Sequence, residues 1–116
     1  MATTIKTGDK LYVVTRRDIP AGYQGVQSQH AAIQFMVDHP DRATEWFKAS
    51  NFLAWLSVAD EVELMRLITL AKDHRVRWSA FREPDVGGQI TAIALEPGPA
   101  TVDMCKGLPL ALKGAA

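Results

Sequence analysis

One cysteine, Cys105, stands alone in 116 residues, so an intramolecular disulfide is excluded and packing must hold the chain together. A reducing, cytoplasmic setting is the simplest expectation. Charge of one sign is missing as well: thirteen basic residues meet thirteen acidic ones, for a formal net charge of zero. A generic cationic nucleic-acid binder shows a clear basic excess, so that class is disfavoured, although a local basic patch is compatible with the balance. Long apolar runs are absent. No stretch approaches the ~20 residues needed to span a bilayer, and Met1 to Lys10 carries no apolar signal core, so no membrane partner is expected. Internal repeats and low-complexity tracts are lacking too.

Several site types are missing with them. His30, His39 and His74 are far apart, with no Cys or carboxylate at ligand spacing, which argues against a structural zinc. There is no Walker loop, no complete G-x-G-x-x-G and no serine in a nucleophile elbow. No metal or other cofactor is expected. Any chemistry must come from side chains that the fold brings together.

What is present is an ordinary globular mixture, 47% hydrophobic and 22% charged, long enough for one domain and little more. KLYVVT (Lys10 to Thr15) suits a buried strand, broken at Pro20-Ala21-Gly22. Val26, His30, Ile33 and Val37 recur at helical spacing and predict a helix with that stripe inward, stopped at Pro40. Asp41 is placed to cap a short second helix through Trp46 and Phe47. NFLAWLSV (Asn51 to Val58) reads as a strand covered on both faces. Asp60 and Glu63 have capping-box spacing before a helix that should carry Val62, Met65, Ile68 and Ala71 inward. Strands over Arg77 to Arg82 and Gln89 to Leu95 flank a short hairpin loop, Glu83 to Gly88. A terminal helix is expected within Ala100 to Leu112, interrupted near Gly107 and Pro109. The order predicts a single α/β domain: a four-stranded mixed sheet with helices packed on it, core about 10–99, tail 100–116. Tyr12, Trp46, Trp55 and Trp78 lie in apolar segments and read as core rather than base-stacking platforms.

Two segments have the residue types for a site. In open α/β sheets ligands favour the crevice at the C-terminal ends of strands, so Arg16 and Arg17 and the first N–H groups of the following helix form one candidate for phosphate. The plainer alternative is a solvated strand end. His30 lies on the apolar stripe, where a core histidine bonded through one ring nitrogen is the plain expectation; Gln27, one turn earlier, can reach the crevice mouth. The other candidate is Glu83-Pro84-Asp85. Residues two apart in extended chain share a side, and two close carboxylates raise one pKa, which serves general acid–base work. An ordinary acidic turn explains the same spacing. Thr91, just inside the last strand, can point a hydroxyl at the crevice, although β-propensity alone accounts for it.

In order and spacing these segments resemble the peptidyl-tRNA hydrolase 2 family. KLYVVTRRDIPAGYQGVQSQHAA is similar to that family's K-x-V-x-V-R-x-D-L strand, G-K, and helix with Q-x-x-H-A-A. The matching positions are Lys10, Val14, Arg16 or Arg17, Asp18, Gly22, Gln27, His30, Ala31 and Ala32. EPDVGGQI and TAIALEPGP resemble D-A-G-R-T-Q-I and T-V-T-V-L-G-I-G-P, and the resemblance runs from Lys10 to Pro99. It implies a metal-free hydrolase of the ester joining peptide to tRNA, and a homodimer. It also implies a working lysine, aspartate and threonine, carried here to Tyr23, to Glu83 or Asp85 (an ungapped alignment puts Pro84 at the aspartate), and to Thr91. Tyr23 donates one hydrogen bond but brings no cation near neutral pH, and losing an oxyanion donor typically costs ~10²–10³ in rate. Arg82, on the neighbouring strand, is the candidate for the missing charge.

Three readings follow. One is an ester hydrolase for peptidyl-tRNA or a related acylated nucleotide, with Glu83 or Asp85 activating water, Thr91 and Tyr23 positioning it, and Arg16, Arg17 and Arg82 holding phosphate. Another is a module, inactive or repurposed, that binds a nucleotide, small ligand or protein segment in the same crevice. The third is an interaction domain that dimerises through an exposed apolar surface.

Overall fold

The computed structural model describes residues 3–113; the last residues of the expected tail, 114–116, lie outside that range. Strand β1 (Lys10–Arg16) is followed by α1 (Ala21–Asp38) and α2 (Pro40–Ala49), then β2 (Phe52–Val58) and α3 (Glu61–Asp73). The hairpin β3 (Trp78–Glu83) and β4 (Gln89–Leu95) turns on a 3₁₀ segment, Pro84–Val86, and α4 (Pro99–Met104) ends the regular structure. The strands order as β2-β1-β4-β3. β1 and β2 are parallel, joined by the helical crossover that parallel pairing requires, while β4 is antiparallel to both its neighbours. The mixed four-stranded sheet expected of the sequence is therefore present.

Each face of the sheet has its own core. Val14, Leu56, Val58, Ile90, Ile93 and Leu95 pack under α3 with Leu64, Leu67, Ile68, Ala71 and Cys105. Leu11, Val13, Ala92 and Ala94 pack under α1 and α2 with Ala31, Phe35, Ala43 and Trp46. The helix of the capping-box pattern starts as expected, with the Asp60 carboxylate accepting from Glu63 N at 3.1 Å.

Four expectations need correction. The Val26, Ile33 and Val37 stripe of α1 faces out, and the inward face is Gln24, Gln27, Ser28, Ala31 and Phe35. Ala92 and Ala94 leave a shallow sheet surface that a small-residue face fits; Gln27 finds its partners there, in Glu83 and Thr91, while Gln24 donates to the Ile19 carbonyl at 2.8 Å. In α3, Val62 and Met65 are exposed, and Leu64 and Leu67 go in with Ile68 and Ala71. β2 lies at a sheet edge, so Phe52 and Leu53 stay exposed and only Leu56 to Val58 are buried. Asp41 sits inside the first turn of α2, because Pro40 opens that helix and His39 occupies the cap position.

One pairing escaped sequence reading. Arg42 on α2, 4% exposed, donates from Nε to Glu96 Oε1 at 2.6 Å and from Nη2 to the Pro97 carbonyl at 3.2 Å. Glu96 Oε2 in turn accepts from Arg77 N at 2.6 Å. The pair fastens α2 to the end of β4 across 54 residues of sequence.

Candidate functional site

The site grows from the way α1 lies along the hairpin. Alternation puts Ser79, Phe81 and Glu83 of β3 on the α1 face. Each meets the helix in turn: Ser79 Oγ donates to Asp38 at 2.7 Å, Phe81 stacks on His30 with ring centroids 4.3 Å apart, and Glu83 meets Tyr23 and Gln27. On β4 a regular strand would turn Thr91 to the other face. The register instead slips, with Phe81 opposite Ala92 and Arg82 opposite Ile90. That bulge leaves Thr91 unpaired and rotates its hydroxyl toward α1, while Ile90 joins the core under α3.

A continuous hydrogen-bonded chain results. Thr91 Oγ1 donates to Gln27 Oε1 at 2.6 Å, Gln27 Nε2 donates to Glu83 Oε1 at 3.0 Å, and Tyr23 OH donates to the same oxygen at 3.1 Å. Gln27 and Thr91 are fully buried, whereas Tyr23 and Glu83 are half-buried at the mouth. Glu83 Oε2 takes no protein hydrogen bond among the described residues. Thr15 extends the chain at its buried end, donating to the Thr91 carbonyl at 3.3 Å. Partial burial, then the adjacent Glu83 carboxylate, raise the Tyr23 phenol above its ordinary range, so it stays a neutral donor at neutral pH.

The chain matches the model of the family described as Peptidyl-tRNA hydrolase PTH2 over residues 9–107. It belongs to that family. No curated protein matches it in sequence. Among solved structures it is similar to a protein of unknown function from Agrobacterium tumefaciens strain C58, at 10% identity and a TM-score of 0.62. That match covers 87% of this chain and 96% of the other, and shows a shared fold.

Placed in the family's frame, the expected site residues separate into groups. Tyr23, Gln27, Glu83 and Thr91 come together. Asp85 does not join them: it is exposed in the 3₁₀ turn and makes no side-chain hydrogen bond in the described structure. Of the two candidate carboxylates, only Glu83 reaches the helix that carries Tyr23. Arg82 is turned to the opposite face, among Met65, Ile68 and Thr69, and donates to the Gly88 carbonyl at 3.3 Å. It therefore supplies no charge beside Tyr23. His30 stacks on Phe81 one turn from the chain of hydrogen bonds, and its ring nitrogens take no partner among the described residues.

The two arginines at the end of β1 differ in the same way. Arg16 is a locked structural cation, bound through Nε and Nη2 to Asp18 at 2.6 and 2.9 Å, and through Nη1 to Gln89 at 2.7 Å. That contact raises the guanidinium and holds the Asp18 carboxyl below its usual range. Arg17 is exposed, and among the described residues its guanidinium makes one hydrogen bond, to Ser57 Oγ at 3.4 Å, so its charge is available at the strand ends. Sequence reading overlooked Thr15 and Gln89. Thr15 was hidden in a β-branched run, and Gln89 gave no signal apart from its place beside Thr91. Among the described residues no group of three His, Cys, Asp or Glu is placed to hold a metal. No helix there is long and apolar enough to cross a membrane.

Proposed function

We propose that this chain hydrolyses the ester of peptidyl-tRNA or of a related acylated nucleotide, with Glu83 as the base that activates water. The observation that carries it is the Glu83 carboxylate. One oxygen is held by Tyr23 and Gln27, and the other takes no protein hydrogen bond among the described residues. A base is effective when a fixed carboxylate lies within hydrogen-bond reach of the water it deprotonates. Water gives its proton to Glu83 Oε2 as its oxygen bonds to the ester carbonyl carbon. The tetrahedral oxyanion collapses, and the departing ribose hydroxyl takes the proton back. Tyr23, whose one O–H is given to Glu83 Oε1, and Thr91, through Gln27, fix the carboxylate rather than touching substrate. Arg17 is the free cation for phosphate, since Arg16 is engaged. On this reading the chain works in the cytoplasm, in translation, with tRNA as its partner and no metal.

The absence of a cation beside Tyr23 favours a second reading, a module that binds a nucleotide or protein segment in the crevice without turning it over. Metal-free hydrolysis of peptidyl-tRNA separates the two. Wild type should be active, Glu83→Gln should lose ~10²–10⁴ of the rate, and Asp85→Asn should stay close to wild type. A silent wild type whose Tyr23→Lys variant is active would mean a retained scaffold that has left catalysis. Equal rates for wild type and Glu83→Gln would sink the assignment of the base.

A further inference from the structure

A bulge frees backbone groups from the ladder, and buried ones must find other partners. In β4 the bulge lies at the start of the strand. β1 pairs with β4 only as far as Thr15 opposite Ala92, and β3 passes from Ala92 to Ile90, so Ile90 and Thr91 have no strand partner on the β1 side. Side chains stand in for it. Glu61, the first residue of α3, accepts from Ile90 N through Oε2 at 2.8 Å. Arg16 Nη1 donates to the Ile90 carbonyl at 3.3 Å, and the Thr15 hydroxyl donates to the Thr91 carbonyl at 3.3 Å. Three backbone groups at the bulge are thus held by side chains of α3 and β1.

Of these contacts, the one from Glu61 serves the only donor. An orphaned buried N–H is rarer in folded proteins than an under-used carbonyl, which has two lone pairs to share. Ile90 is 3% exposed, so bulk water does not replace the carboxylate. The Glu61 side chain makes no other hydrogen bond among the described residues, and the N-terminal turn of the 13-residue α3 favours its negative charge. Without it the start of β4 is free to straighten, and a one-residue change of register turns Thr91 to the α3 face, away from Gln27. The linkage therefore crosses the sheet. α3 packs on one face and α1 on the other, and Thr91, next in sequence to Ile90, carries it to Gln27 and then to Glu83.

We propose that Glu61 is a positioning residue for the Glu83 base. It keeps the bulge open, the bulge keeps Thr91 on the α1 face, and Thr91 with Gln27 keeps the carboxylate fixed. Glu61 itself touches neither Glu83 nor substrate. Its part in catalysis rests on the hydrolase reading; the coupling from Glu61 to Gln27 belongs to the fold and does not.

The side-chain amide of Gln27, on the far face of the sheet, reports the coupling in ¹⁵N NMR spectra without substrate. Glu61→Ala should move that signal and cut the exchange protection of the Ile90 amide about tenfold or more. Glu61→Gln keeps an acceptor at the same reach and should restore both. Leu67→Ala, a cavity in the core under α3, is the structural control: it should lower Tm and leave the Gln27 signal in place. With peptidyl-tRNA, Glu61→Ala should lower kcat about tenfold or more with KM within about twofold, because Arg17 still meets phosphate, and Glu61→Gln should recover most of the rate. An unmoved Gln27 signal in folded Glu61→Ala, an equal displacement in Leu67→Ala, or a kcat close to that of an active wild type overturns the proposal. If Glu61→Ala does not fold, Glu61→Asp, one methylene shorter, takes its place with the same expected directions. A wild type that is silent on peptidyl-tRNA while the Gln27 signal responds as expected counts against the hydrolase reading only.

Discussion

Replacing Gln27 by leucine tests the chain of hydrogen bonds on which the site rests. Gln27 is fully buried and serves both neighbours, accepting from Thr91 and donating to Glu83. Leucine has similar bulk but no polar atoms, so two losses follow. The Thr91 hydroxyl, with zero exposure, is left without its acceptor, at a cost of about 1–3 kcal/mol. Glu83 loses a donor as well, but it is half-buried and water replaces part of that bond, so this loss is about 1 kcal/mol. The expected sum is about 2–4 kcal/mol, or roughly 8–16 °C in Tm for a domain of this size. Urea unfolding followed by tryptophan fluorescence measures it. A second substitution sharpens the test. Adding Thr91→Val removes the orphaned hydroxyl, so Gln27→Leu/Thr91→Val should be at least ~1 kcal/mol more stable than the sum of the single losses. A Gln27→Leu variant within ~0.5 kcal/mol of wild type, or strict additivity in the double variant, would refute the reasoning.

Two further outcomes are expected. Burial pushes the Cys105 thiol from 9.0 up to about 12, so the folded chain keeps a proton that the unfolded chain has released. Stability should then fall as pH rises from 9 toward 12, by up to ~1.4 kcal/mol per unit from this group, and Cys105→Ala should flatten the slope in urea titrations at pH 9.5 and 10.5. Arg42→Met leaves Glu96 buried without its cation and should cost about 3–5 kcal/mol in a thermal melt; a loss under ~1 kcal/mol would mean that water reaches the carboxylate.

Much of the local structure was legible because its cause is local. The Gln89–Leu95 strand, the Asp60 cap and the hairpin depend on propensity and capping within a few residues, and they stand where the pattern put them. Helix faces were less legible. Periodicity showed that Val26, Ile33 and Val37 share a side of α1 without showing which side is inward, and the apolar stripe proved to be the solvent side. The site was legible as a set of residues. Tyr23, Gln27, Glu83 and Thr91 could be named, but the choice of Glu83 over Asp85 could not be made. Pro84 bends the chain into a 3₁₀ turn after Glu83, so residues two apart no longer share a side.

By itself, then, the amino-acid order determined the α/β class, the run of elements, the family, and the pool of polar residues from which a site can be built. Tertiary structure decided which of them meet. The slip of register that turns Thr91 toward α1 arises from pairing with β3, and the small sheet surface that draws Gln27 inward comes from Ala92 and Ala94, more than sixty residues away in sequence. Arg16 is neutralised while Arg17 stays free because Asp18 and Gln89 converge on one side of β1 only. These outcomes depend on which surfaces become neighbours, and spacing along a single chain carries no record of them.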